Sequence, residues 1–171
     1  LSLINRKILE LDENICYYIS KGKNPLYFYK EVKDYLDKDQ LNNVNLDILL
    51  ENYEEKQKNG ENEKYYCELI RKDSVQEFIT YVNKKSINLN SILHPSIFET
   101  NQFLIDKDTS LIEYAAFFGS IQIFRYLYQN QVNIEPSIWM YSIHGNNPEI
   151  IHFLEENEVE LEDETYKMYL I

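Results

Sequence analysis

The groups able to do chemistry are few and far apart. His94, His144 and His152 are the only imidazoles and Cys16 and Cys67 the only thiols in the chain. No His-x-x-x-His or Cys-x-x-Cys spacing occurs, so these donors are not preset for a metal. The glycines, Gly22, Gly60, Gly119 and Gly145, are too dispersed for a phosphate-cradling loop, and no Ser or Cys stands in a nucleophile motif beside a base. The pattern predicts no catalytic residue, no metal and no cofactor, hence a protein that is not an enzyme. What remains is recognition chemistry. Phe117 and Phe118 are adjacent; exposed, they would form a binding hot spot, while packed on a neighbouring segment they would belong to the core. The acidic run from Glu155 to Glu164 is open to two readings, a docking strip for a basic partner or a solvated loop.

Composition narrows the partner. With 17 basic and 29 acidic residues the formal charge is −12, which repels phosphate backbones and argues against nucleic-acid binding. It does not exclude a basic protein partner. The two distant cysteines make no disulfide framework and read as reduced thiols of an intracellular protein, cytoplasmic or cytoskeleton-associated. Arg6, Lys7, Glu10 and Asp12 exclude an apolar signal core near the start, and no window reaches the roughly 18 apolar residues of a spanning helix, so no membrane insertion is expected. The sequence starts without Met and stops at Ile171 within an apolar, helix-like pattern, as a segment of something longer would.

Helices must position these residues, since four Gly and four Pro leave little turn chemistry for an all-β fold. Leu1, Ile4, Ile8, Leu11, Ile15 and Tyr18 make one apolar seam. A second helix is expected around Leu26, Tyr29, Val32 and Leu36, after Pro25. A third runs from Asp39 or Leu41 to Tyr53 and gives way to the polar "EEKQKNGENEK", expected to be a mobile loop. From Tyr65 a short helix, the break "RKDS" and a second helix through Val75, Phe78, Ile79 and Val82 form an αα-hairpin. Asn83 to Asp108 is longer and looser.

The strongest signal is internal repetition. "YAAFFGSIQIFRYLYQNQVNI" (Tyr114–Ile134) aligns with "YSIHGNNPEIIHFLEENEVEL" (Tyr141–Leu161) at a constant step of 27 residues, Leu127 matching Leu154 and Val132 matching Val159. "DSVQEFITYV" matches "GSIQIFRYLY" 46 residues later, and Leu161 and Leu170 open a further copy. A helix–turn–helix unit cannot bury its apolar face alone, but stacked copies make a continuous core. The only alanines, Ala115 and Ala116, then mark close helix approach, and Gly119 permits the break between helices through positive φ. Asn146 occupies the Gly119 position in the next unit and also tolerates the left-handed region.

"SLIEYAAFFGSIQIFRYLYQNQVNI" resembles an ankyrin repeat. The Ala-Ala pair falls on Ala115 and Ala116, the inter-helix Gly on Gly119, second-helix aliphatics on Ile123 and Leu127, and the initial Thr on Ser110. Its wording is similar to the divergent, Asn- and Tyr-rich ankyrin proteins expanded in trichomonad protists. The likeness covers about Tyr65 to Ile171. Leu111 and Ile138 replace the family's Pro, Glu113 and Met140 its His, and Gln131 and Glu158 its loop Gly. The 27-residue step, against roughly 33 in the family, leaves a short or absent β-finger between these units.

The resemblance implies an all-α, ankyrin-like solenoid: an N-terminal helical cap region over 1–60, then repeats over about 65–108, 109–135 and 136–162 with a partial unit at 163–171. It implies a non-catalytic protein–protein interaction scaffold whose concave face binds a partner protein. By position it nominates Lys107, Thr109, Glu113, Phe117, Phe118, Asn130, Asn133, Ile134 and His144 as partner-binding residues. The alternative is a structural subunit of a large, for example cytoskeletal, complex, docking through its N-terminal helices.

Overall fold

A computed structural model describes residues 12–42, 44–105 and 107–161. The expected seam over Leu1, Ile4, Ile8 and Leu11 and the expected partial unit at 163–171 lie outside them. The described chain is mostly helical, with one two-stranded sheet. It divides into two compact units, one from the residues up to Glu61 with Ile97–Glu99, the other from Asn62–Ser96 and the residues after Glu99.

In the first unit, α1 (Glu13–Ser20) starts where the Asp12 carboxylate accepts a hydrogen bond from the Ile15 N–H at 2.8 Å. The single helix expected around Leu26–Leu36 is instead a 3₁₀ turn (Pro25–Phe28), α2 (Tyr29–Val32) and a second 3₁₀ turn (Lys33–Tyr35). The helix expected to reach Tyr53 is also divided, into α3 (Lys38–Leu41), α4 (Leu46–Leu50) and α5 (Tyr53–Asn59). Asn52 at φ 52° separates the last two. The segment expected to be a mobile loop therefore begins as helix. Its Glu, Lys and Gln residues are strong helix formers, and Gly60 ends α5 in the left-handed conformation. Tyr53 anchors it: the ring is buried with Tyr27, Leu49 and Phe98, and its hydroxyl donates to the Tyr27 carbonyl at 2.7 Å.

Among the described residues the second unit holds three helical hairpins. They are α6 (Tyr65–Arg71) with α7 (Val75–Lys85), α8 (Leu111–Phe117) with α9 (Ile121–Gln129), and α10 (Ile138–Gly145) with α11 (Pro148–Glu156). First helices neighbour first helices, α6 to α8 to α10, and second helices neighbour second helices, α7 to α9 to α11. First helices end at Asp73, Gly119 and Asn146, all with positive φ and at matching repeat positions. Second helices end at the left-handed Ser86, Gln131 and Glu158. The next N–H in each case, from Ile87, Val132 or Val159, donates to the carbonyl of Val82, Leu127 or Leu154 five residues back, and its side chain packs on the core. This is the Schellman arrangement, which satisfies otherwise orphaned carbonyls.

The small residues do what the repetition suggests. Ala115 and Ala116 are completely buried. A Cβ added at Gly145 would lie 2.0 Å from the Ala116 carbonyl oxygen, so α8 and α10 approach backbone to backbone there. Polar ties join the hairpins at their turns. Ser120 Oγ donates to the Ile70 carbonyl at 2.5 Å. The Asp73 carboxylate accepts from the N–H groups of Gln122 and Ile123 at 3.1 and 3.0 Å, capping the next hairpin's second helix. Asn147 Nδ2 donates to the Gly119 carbonyl at 2.7 Å.

The long segment after α7 contributes β1 (Ile92–Leu93), antiparallel to β2 (Thr109–Ser110), with Ile92 opposite Ser110 and Leu93 opposite Thr109. Among the described residues no strand lies between the second and third hairpins, and no helix is long and apolar enough to cross a membrane.

Candidate functional site

The nominated residues fall into three environments. The first is an aromatic cluster on the first helices. Phe117 ends α8 and His144 lies near the end of α10, one 27-residue step later in the same repeat position. Phe103, from the long connecting segment, reaches both. Its ring stacks on Phe117 with centroids 5.5 Å apart and planes 12° from parallel, lies 4.2 Å from the His144 ring, and meets Tyr141 edge-on at 5.0 Å. Lys107 places its ammonium 4.0 Å from the Phe103 centroid. Phe118 turns towards Tyr114, 4.8 Å away, and meets Phe117 edge-on at 5.1 Å.

Neither Phe117 nor Phe118 is a bare exposed ring. Both rings are half-buried, because Phe103 covers one and Tyr114 the other. What faces outward is the composite of Phe103, Lys107 and His144, of which the last two are exposed. Sequence reasoning missed Phe103. It lies in a stretch without periodicity, and nothing local distinguishes it from Phe98, which packs on Tyr53.

Thr109 and Glu113, nominated by position, lie in the interior of the second unit. Thr109 is buried in β2, where its hydroxyl donates to the Lys107 carbonyl at 3.4 Å, and burial holds the nearby Tyr141 phenol above its ordinary pKa. Glu113 is 8 % exposed. Its Oε2 accepts from the Ser110 N–H at 2.8 Å and from Ser110 Oγ at 2.7 Å, while Oε1 accepts from Ser137 Oγ at 2.5 Å. The signal was available: Ser110-x-x-Glu113 is a capping box.

The remaining nominees lie at the loop end of the second hairpin. Asn130 and Asn133 are exposed. Asn130 Nδ2 donates to the Tyr126 carbonyl at 2.8 Å, and the Asn133 N–H donates to Asn90 Oδ1 at 2.9 Å. Ile134 is half-buried and lines an open cleft of about 570 Å³ with Tyr128, Val132, Pro136, Val159 and Glu160.

The other histidines are engaged in surface pairs. His94 Nδ1 lies 2.8 Å from Asp108, and His152 Nδ1 lies 3.1 Å from Glu155. Glu149-x-x-His152 does carry a helical carboxylate–imidazole spacing, but Glu149 pairs with Arg125 at 3.2 Å. Among the described residues no three His, Cys, Asp or Glu side chains come together as a metal could require.

Comparison of the chain with protein-family models, curated proteins and solved structures finds no match.

Proposed function

We propose that the chain is a divergent ankyrin-like repeat protein and works as a non-catalytic scaffold, binding a partner protein through the face carrying Phe103, Phe117 and His144. One observation carries this reading. Equivalent positions of successive hairpins, Phe117 and His144, are joined by a ring from the connecting segment into one aromatic surface that ends in exposed groups. Rigid, partly desolvated aromatics flanked by polar groups are what protein interfaces use as anchors. Repeated hairpins hold such a surface in place without needing to reorganise.

Partner capture from the source cells, with wild type and two folded variants, tests it. His144→Lys alters the face. Gln129→Lys, at the exposed end of α9, makes the same charge change on the second-helix side. Loss of bound proteins with the first and retention with the second is the expected result; equal capture by both variants refutes the reading.

The rival is a subunit built permanently into a large assembly, docking through its N-terminal helices. It draws on the exposed Tyr17, Tyr18 and Ile48 of the first unit. Capture that survives His144→Lys but is lost on Tyr18→Asp favours the rival.

A further inference from the structure

The proposed binding face already holds a cation. Lys107 is exposed, and its ammonium sits 4.0 Å from the centroid of Phe103, well within the roughly 6 Å over which a ring quadrupole attracts a positive charge. Phe103 is held by three rings from two different helices: stacked on Phe117, edge-on to Tyr141 and tilted against His144. The ring is thus a fixed platform, whereas the lysine above it is a flexible chain held by a contact worth little at a solvated site.

Two further features point the same way. The chain carries a formal charge of −12, so approaching cations are attracted and approaching anions repelled. A planar guanidinium also stacks on an aromatic face and sheds water more readily than an ammonium. We propose that the Phe103 platform is a seat for an arginine side chain of a basic protein segment, with Lys107 as the resident group that the arginine displaces. This rests on the reading of the Phe103–Phe117–His144 face as the binding surface and names the chemistry of the partner: a basic segment presenting arginine rather than lysine.

Fluorescence anisotropy on the whole chain tests it with a labelled Gly-Ser-Arg-Gly-Ser-Arg-Gly-Ser peptide and its lysine twin of equal charge. Wild type should prefer the arginine peptide by about threefold, the scale of one exposed cation–π contact. Lys107→Ala, which vacates the seat, should tighten arginine-peptide binding by a further factor of about three. Lys84→Ala, which removes an equal charge from an exposed position on α7, should not. Phe103→Leu keeps an apolar side chain and should erase the arginine preference while the circular-dichroism spectrum stays helical. The proposal is overturned if Lys107→Ala and Lys84→Ala change binding equally, or if the arginine preference survives Phe103→Leu. The lysine variants decide the matter even if Phe103→Leu fails to fold. Partner capture lost in His144→Lys without any arginine preference would keep the face as a binding surface and remove only the arginine seat.

Discussion

Glu113 Oε1 accepts a hydrogen bond from Ser137 Oγ at 2.5 Å, and Ser137 stands one 27-residue step beyond Ser110, which the other oxygen of the same carboxylate holds. One buried carboxylate thus caps its own helix and reaches the equivalent position of the next hairpin.

Glu113→Ala should therefore cost more than an ordinary cap, about 2–3 kcal/mol, because it removes the cap and leaves Ser137 without its acceptor. Glu113→Gln, which keeps one acceptor oxygen, should lose about half as much. Urea titration of the two variants and wild type measures both values; a Glu113→Ala loss below that of Glu113→Gln contradicts the two-sided role.

Gly145 has no room for a side chain, since a methyl group there would meet the Ala116 carbonyl oxygen at 2.0 Å and the Phe117 carbonyl oxygen at 3.0 Å. The nearest obstacles are backbone, so the helices must separate. Gly145→Ala should destabilise by about 2 kcal/mol or more, lowering the melting temperature by roughly 4–8 °C. Thermal unfolding checks it, and an unchanged transition would mean that α8 and α10 are not in backbone contact.

Gln131 and Glu158 occupy the left-handed region at φ 58° and 49°. Neither side chain suits that conformation, which costs an ordinary L-residue about 1–2 kcal/mol. Gln131→Gly and Glu158→Gly should each stabilise the protein, by about 1 kcal/mol after the extra freedom glycine gains in the unfolded chain. Their effects should add, because they lie at the ends of different hairpins. Differential scanning of the single and double variants reads this; a lowered midpoint in either single variant refutes it.

Burial raises the phenols of Tyr27, Tyr53 and Tyr66 from the ordinary 10.0 to about 12. The folded chain then keeps protons that the unfolded chain has already released. The stabilisation is complete below pH 10 and is lost as the pH rises through about 12. Urea midpoints should hold steady up to about pH 10 and then fall, with a shallower fall in Tyr53→Phe, which has one such phenol fewer. A midpoint that is flat through this range would show these phenols to be solvated.

The second unit was the more legible half. The 27-residue step located the second and third hairpins, and Ala115, Ala116 and Gly119 announced close packing and a left-handed break. Periodicity is a local property of packed helices, so it survives in the sequence. The first unit was less readable because its breaks are not written in Gly or Pro: Asn52 divides α4 from α5 in the middle of a helix-forming stretch. For the candidate site, position within the repeat nominated Phe117 and His144 but not what covers them. Phe103 reaches the site by tertiary folding of an aperiodic segment, and such a contact leaves no spacing to find. Glu113 was nominated from position alone. Position in a repeat says which way a residue faces but not that its carboxylate is consumed by two serines.

That Phe103 comes from the connecting segment and not from a hairpin has a consequence for how such a surface can change over time. The helices beneath it are locked by Gly145, the alanines and the buried polar ties, and most alterations there would compromise folding. The exposed Lys107 carries no such obligation, so the outer edge of the proposed face can be rewritten while the supporting helices stay as they are.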